Sequence, residues 1–321
     1  MSAAEPSYAD RPPLPRWLKR NVPPGGTGQF TSKVLDRLGL QTVCRHAKCP
    51  NRMECYAQKT ATFMILGKVC TRSCRFCSVE KGRPDPPEPD EPRRVAEAVK
   101  ALGLKHVVIT CVSRDDLPDG GAEHFVRTIG EVRRLTDATI EVLPSDFAGN
   151  AAAVDRLIQA APQVYNYNLE TVPRLFPVVR DPRTNYAWSL EIFRRVRRRN
   201  PSIALKSGLI LGLGETSDEL LDALAELYAA GCRLLTLGQY LQPSPQHLPV
   251  VRYLPPEEFT HLGELARRIG FTHVAAGPFV RSSYHAAAMW AAECAARSQA
   301  VGSEGCPEPV SSSADFIGRN R

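Results

Sequence analysis

Residues 105–136 read KHVVITCVSRDDLPDGGAEHFVRTIGEVRRLT: a short apolar run, a polar loop and an amphipathic stretch. KHVVIT has the β-branched density of a buried strand. AEHFVRTIGEVRRLT repeats its apolar residues at three- and four-residue spacing, as one face of a helix requires. The same unit recurs along the chain. The other strand candidates are ATFMILG, ATIEVL, QVYNYNLE, IALKSGLILG and CRLLTLGQY. Helical patterns alternate with them: PRRVAEAVKALG, AAAVDRLIQAA, YAWSLEIFRRVRRR, SDELLDALAELYAAG and PEEFTHLGELARRIG. Gly103, Gly231 and Gly270 close three of these, a common helix stop. Six strand-then-helix units with short connections predict an α/β fold, a parallel sheet covered by helices, either doubly wound or barrel-like. Both arrangements place chemistry at the carboxyl ends of the strands.

The texture changes along the 321 residues. Residues 1–59 lack a sustained period and read as an extended arm with one short helix near Ser32 to Leu38. Residues 60–290 hold the alternating units. Residues 291–321 finish a short helix, AAAMWAAECAARSQA, and continue into a polar Ser/Gly/Pro-rich tail that predicts disorder. Residues 68–91, ending in KGRPDPPEPDEP, are too proline-rich for a helix and read as a long functional loop. The polar, proline-rich start offers no apolar leader, and no run approaches a membrane span. The chain therefore reads as cytoplasmic, without a membrane partner. Its net charge of +7 is compatible with nucleic acid, an acidic protein or no specific partner.

Ten cysteines are present, and six fall between Cys44 and Cys77 in two groups of three. In a reducing compartment such grouping points to metal or chemistry rather than disulfides. Cys70-Thr-Arg-Ser-Cys74-Arg-Phe-Cys77 can hold three irons of a cubane and leave the fourth open. Structural zinc would need a fourth close ligand, and no second short pair is present. The run resembles the signature of the radical S-adenosylmethionine superfamily. That resemblance implies a 4Fe–4S cluster whose open iron binds the cofactor and cleaves it to a 5′-deoxyadenosyl radical. The other run, Cys44-Arg-His-Ala-Lys-Cys49-Pro-Asn-Arg-Met-Glu-Cys55, together with Arg281-Ser282-Ser283-Tyr284, is similar to the lipoyl synthase family.

This second resemblance extends from RPPLPRWLKR to RSSYHA. It implies a partial (β/α)6 TIM-like barrel with an N-terminal iron–sulfur extension. It also implies an auxiliary 4Fe–4S cluster on Cys44, Cys49 and Cys55, completed by Ser283, with Ser282 as the alternative. The implied reaction inserts two sulfurs, at C6 and C8 of a protein-bound octanoyl-lysine, using two adenosylmethionines and sulfur from the auxiliary cluster. Implied partners are octanoylated lipoyl carrier domains (2-oxoacid dehydrogenase E2 subunits and the glycine cleavage H protein). A ferredoxin or flavodoxin as electron donor and an iron–sulfur carrier complete the set, without nucleic acid.

A cofactor with a sulfonium, a carboxylate and a ribose needs charged and hydrogen-bonding groups at strand ends. Asn168, Glu170 and Thr171 close one strand. Lys206 and Ser207 lie on the next, which ends in Gly208-Leu-Ile-Leu-Gly212-Leu-Gly214-Glu215. Ser113, Asp116 and Arg281 are further pocket candidates, and Phe76 stands just before the last cysteine of its run. Cys111, Cys232 and Cys294 read as packed and Cys306 as a spectator. FPVVRDPRTNYAWSLE, with Arg180, Asp181 and Arg183, resembles a motif of the family without revealing individual roles. The arginines from Arg194 to Arg199 read as the solvated face of a helix. Two rival readings are an RNA methylthiotransferase, for which the tail has no room, and a zinc-stabilised binding protein.

Overall fold

The computed structural model describes residues 14–19 and 28–301. Cys306 and the tail expected to be disordered lie outside them. A 3-10 turn at Arg16–Leu18 and helices α1 (Gln29–Arg37), α2 (Val43–His46) and α3 (Arg52–Ala57) precede the strands. Next come β1 (Thr62–Ile65), β2 (Val69–Cys70) and β3 (Glu80–Lys81). The alternation then runs α4 (Glu91–Leu102), β4 (His106–Cys111), α5 (Ala122–Leu135), β5 (Thr139–Leu143), α6 (Ala151–Gln159) and β6 (Val164–Asn166). After α7 (Phe176–Val179) and α8 (Tyr186–Arg199) follow β7 (Ala204–Leu211), α9 (Ser217–Ala229) and β8 (Leu234–Gln239). The chain continues through α10 (Pro256–Ile269), β9 (His273–Gly277) and α11 (Ala286–Val301).

Seven strands form one parallel sheet in the order β1-β4-β5-β6-β7-β8-β9, with β2 and β3 paired apart from it. Each strand lies beside its predecessor. A doubly wound sheet reverses its strand order at a switch point, and this order never reverses, so the doubly wound alternative falls. The helices cover the sheet with faces built from residues such as Phe125, Ile129 and Val132 of α5. The α8 face of Leu190, Phe193 and Val196 is buried as its spacing predicts. Two of the arginines beyond that face pair with one acid: Arg195 and Arg199 reach Asp155 at 2.6 and 2.9 Å.

The sequence reading counts six strands where the sheet has seven. The seventh, HVAAG, contains alanine and glycine where a strand pattern needs bulk, and its partner β8 supplies the ladder that makes it a strand. The arm also holds more structure than expected, since helices of four and six residues are too short to display a period. At Gly238 of β8, an added Cβ would come within 2.1 Å of the Val280 carbonyl. The bare glycine lets the segment 280–284 lie close against the sheet.

The sheet interior carries an ion pair among apolar side chains. Lys206 Nζ reaches Glu141 Oε1 at 2.9 Å, His106 Nε2 stands 3.3 Å from Oε2, and Asn166 Nδ2 donates to Oε1 at 2.9 Å. Burial alone would push Glu141 up, but Lys206 and His106 outweigh it and hold the carboxyl at about 2, against an ordinary 4.5. Lys206→Met would strand the carboxylate, and breaking such a pair costs about 3–5 kcal/mol. Calorimetry of the variant at neutral pH is expected to show that loss. The sign over pH follows from a depressed folded value. The pair's contribution is complete above about 4.5 and is lost as pH falls towards 2, so the variant and parent should converge there.

Candidate active site

The carboxyl ends of β1, β4, β5, β7 and β8 open on one cavity of about 530 Å3. Cys70 closes β2, and Cys74 and Cys77 follow in the loop before β3. All three are free thiols on the cavity wall. Cys70 Sγ accepts the backbone N–H of Ser113 at 3.3 Å and of Arg72 at 3.5 Å. Cys74 Sγ accepts that of Asp181 at 3.4 Å. Donors of this kind favour a thiolate. Burial works the other way, pushing Cys77 up to about 12, and the neighbouring Cys74 and Cys70 add to the rise. Burial raises Cys74 too, with Arg180 opposing. Half-buried thiols on one wall are a donor set whose negative charge a bound cation offsets.

Among the described residues, no three His, Cys, Asp or Glu side chains converge as they would around a single ion. A cubane spreads its thiolates over separate irons and does not ask for that convergence. Three thiols on one wall at C-x3-C-x2-C spacing match the donor set that such a cluster takes.

Cys44 on α2 and Cys49 just beyond it line the same cavity. Cys55, on α3, is half-buried and lies outside its lining. Ser282 and Ser283 both line the cavity, and Thr62 Oγ1 donates to Ser283 Oγ at 2.8 Å. The Cys44 thiol, raised by burial, is drawn back by the backbone and hydroxyl of the same Thr62. One threonine thus bears on both the first cysteine of the arm and Ser283, the latter 221 residues further along the chain than Thr62. The returning segment is pinned over the arm, with Asn51 Nδ2 on Phe279 O at 2.7 Å and Tyr284 OH on Glu54 Oε1 at 3.0 Å. His46 faces Gln41 Oε1 at 2.8 Å rather than the thiols.

Of the expected pocket residues, Phe76, Ser113, Asn168, Glu170 and Arg281 line the cavity. Asn168 Oδ1 is buried without a hydrogen-bond partner from the chain, so it can accept from a ligand. Glu170 is held in the left-handed region at φ 73°, a conformation costly for a residue with a Cβ. Burial raises its carboxyl, with Arg180 and Asn168 opposing. Five candidates stand elsewhere. Lys206 is held by Glu141 early in β7, below the strand ends. Ser207 Oγ donates to Tyr167 O at 2.9 Å, and Glu215 accepts the N–H groups of Gly212 and Leu213 at 2.6 and 3.0 Å. Ser207 thus ties β7 to the segment after β6, Glu215 braces the turn after β7, and Thr171 is buried outside the cavity. Asp116, at the β4 exit, pairs instead with Arg114 at 2.8 Å.

The cavity also recruits residues the sequence reading did not assign: Arg72, Asp146, Arg180, Gln239 and Tyr240, with Cys111 on the wall. Asp146 follows β5 in a short turn, and its Oδ2 is buried without a partner. Its position one turn past a strand end was the available signal.

A sheet of parallel strands with the C-x3-C-x2-C run beside its carboxyl ends defines a class, and the family model of the radical SAM superfamily matches residues 64–227. Solved structures share the fold at low identity. Methylornithine synthase aligns with a TM-score of 0.51 at 11% identity over 79% of each chain. A maturase of the FeFe-hydrogenase aligns at 0.51 and 13%, over 79% of this chain and 69% of its own. Among curated relatives, the lipoyl synthase of Rhodopirellula baltica is 57% identical over 277 residues, 86% of this chain and 88% of the relative. That of Caldanaerobacter subterraneus is 50% identical over 85% of this chain and 95% of its own length. The chain belongs to the lipoyl synthase family.

Proposed function

We propose that Cys70, Cys74 and Cys77 hold one 4Fe–4S cluster beside adenosylmethionine, and that Cys44, Cys49, Cys55 and Ser283 hold a second. The chain is an enzyme, a sulfurtransferase that inserts sulfur into a protein-bound octanoyl-lysine by radical chemistry. In the finer reading two sulfurs enter, at C6 and C8. The observation that carries it is the one cavity wall shared by Cys70, Cys74 and Cys77, by Cys44 and Cys49 of the arm, by Ser283 and by the strand ends. Unactivated C–H bonds offer no acidic proton, so homolytic abstraction suits them and acid–base catalysis does not. When bound, adenosylmethionine and the first cluster supply the radical, and the second cluster supplies the sulfur.

The chain's own residues bind and shelter. Asn168 Oδ1 and Asp146 Oδ2 stand ready to accept from the cofactor's amino or hydroxyl groups. Phe76, Leu209, Ile210 and Tyr240 form apolar wall suited to an alkyl chain, where each buried methylene contributes about 0.8 kcal/mol. The same wall excludes water from a reactive intermediate. Strand order in sequence, with β1 and β9 at its two ends, supports a partial barrel over residues 60–290, with residues 1–59 as the cluster-bearing extension and 291–321 as the end of a short helix followed by a tail. Octanoylated carrier domains are the macromolecular substrates, with a ferredoxin or flavodoxin as reductant and an iron–sulfur carrier for rebuilding the cluster. In the cytoplasm, the compartment we propose, the thiols of the two groups would stay reduced and available to iron. Among the described residues no helix is long and apolar enough to cross a membrane.

The test mixes anaerobically reconstituted chain with adenosylmethionine, a strong reductant and an octanoyl-lysine peptide, read by mass spectrometry. The expected product has two hydrogens replaced by two sulfurs, with 5′-deoxyadenosine formed. Deoxyadenosine without sulfur would move the substrate elsewhere. Neither product, from a chain shown to hold both clusters, would overturn the reading.

A further inference from the structure

Arg72 stands between Cys70 and Cys74, yet its side chain is spent on carboxylates and is only 2% exposed. Its Nε and Nη2 fork onto Asp115, at 2.9 Å to Oδ2 and 2.8 Å to Oδ1. The same Nη2 lies 2.6 Å from Asp146 Oδ1. Asp115 follows β4 and Asp146 follows β5. One cation therefore ties the cysteine loop to the ends of two neighbouring strands.

Its chain neighbours are tied as well. Thr71 Oγ1 donates to Asp115 Oδ2 at 2.9 Å. Ser73 gives both its N–H and its hydroxyl to Asp181 Oδ2, at 2.7 and 3.0 Å. Arg183 spans Asp115 and Asp181, at 3.2 and 2.8 Å. The Asp181 N–H returns to the Cys74 sulfur at 3.4 Å. All three residues separating the two thiols are thus held by charge and hydrogen bonds anchored outside the loop.

We propose that Arg72 is a positioning residue, which presets the spacing of the Cys70 and Cys74 sulfurs before iron arrives and aims Asp146 Oδ2 into the cavity. The proposal rests on the reading that these thiols hold a cluster. A forked guanidinium meets two carboxylates at fixed angles, which a lysine cannot do. A preset ligand frame needs such a rigid support. Asp146 Oδ1 is also fixed by the Ala148 N–H at 2.9 Å, so with Arg72 in place only Oδ2 is left for a ligand.

The test compares the full parent chain with Arg72→Met, Arg72→Lys and Arg72→Met/Asp146→Asn, each reconstituted anaerobically. Iron per chain, the electron paramagnetic resonance of the reduced cluster with and without adenosylmethionine, and the melting temperature are read together. The Cys44→Ala/Cys49→Ala/Cys55→Ala background isolates the first cluster. Arg72→Met is expected to take up iron at least tenfold more slowly and to give a broadened resonance. The double variant, which also removes the carboxylate that Arg72→Met strands at Asp146, should stay as slow in uptake as Arg72→Met; recovery of parental uptake would trace the loss to the stranded charge and overturn the presetting role. Arg72→Lys should fall between parent and Arg72→Met, and it carries the test if Arg72→Met does not fold. A lower melting temperature with parental uptake and parental resonance in Arg72→Met and Arg72→Lys would reduce Arg72 to a fold brace and overturn the proposal. A parent that takes up no iron would defeat the cluster reading itself, a result distinguishable from the other.

Discussion

Cys70→Ala, Cys74→Ala and Cys77→Ala each abolish cleavage of adenosylmethionine, whereas Cys44→Ala and Cys49→Ala keep cleavage and lose sulfur insertion. This result is expected because the two groups meet the cavity from different elements. Cys70 ends β2 and Cys74 and Cys77 lie in the loop that follows, beside Ser113 and Asp181, whose N–H groups donate to the Cys70 and Cys74 sulfurs. Cys44 and Cys49 belong to the arm, and their contacts run to Thr62 and the segment around Ser283. Removing a ligand from one group leaves the hydrogen bonds of the other in place. The loss of cleavage in the first set should exceed about a thousandfold, a barrier increase of roughly 4 kcal/mol. Chromatographic measurement of 5′-deoxyadenosine, beside iron analysis of every variant, checks it. Equal loss of cleavage in both sets, with the untouched cluster intact, would sink the division of labour.

How far the sequence alone reached depends on the length scale of each feature. A helix of fourteen residues such as α8 shows its buried face in its spacing, and the structure returns the same span, Tyr186–Arg199. The cysteine runs were legible because chemistry constrains both residue type and interval. Ser283 was legible only by resemblance, since nothing near it in sequence reveals that Thr62 stands opposite. Lys206 shows the limit of strand-end reasoning. QVYNYNLE and IALKSGLILG place polar residues on adjacent strands, but which end of the strand a residue occupies depends on register. Lys206 pairs with Leu234, the first residue of β8, so it sits early in the sheet and turns to Glu141 instead of to a ligand. Asp146 escaped notice for the opposite reason. A single acid in a turn has no period, and its role emerges only when Arg72 arrives from 74 positions earlier in the chain.

Ser283→Cys should hold at least as much iron as the parent and make no sulfur-inserted product, a loss of about a hundredfold or more. Thiolate is a softer and stronger partner for iron than a serine oxygen. A ligand that must leave as the second cluster gives up sulfide is therefore better supplied by oxygen. Thr62 sharpens the expectation, because its hydroxyl donates to Ser283 Oγ at 2.8 Å and also bears on the Cys44 thiol, so the position already lies against the first cysteine of the arm. Ser282 lines the cavity too but lacks that link among the described hydrogen bonds, so Ser282→Ala should keep most of the activity. Cleavage of adenosylmethionine should persist in Ser283→Cys, since Cys70, Cys74 and Cys77 are untouched. Iron analysis, deoxyadenosine yield and peptide mass spectrometry on the two variants decide the point. Parental sulfur insertion by Ser283→Cys, or its loss in Ser282→Ala alone, would move the fourth ligand to Ser282 and leave Thr62 as a packing contact.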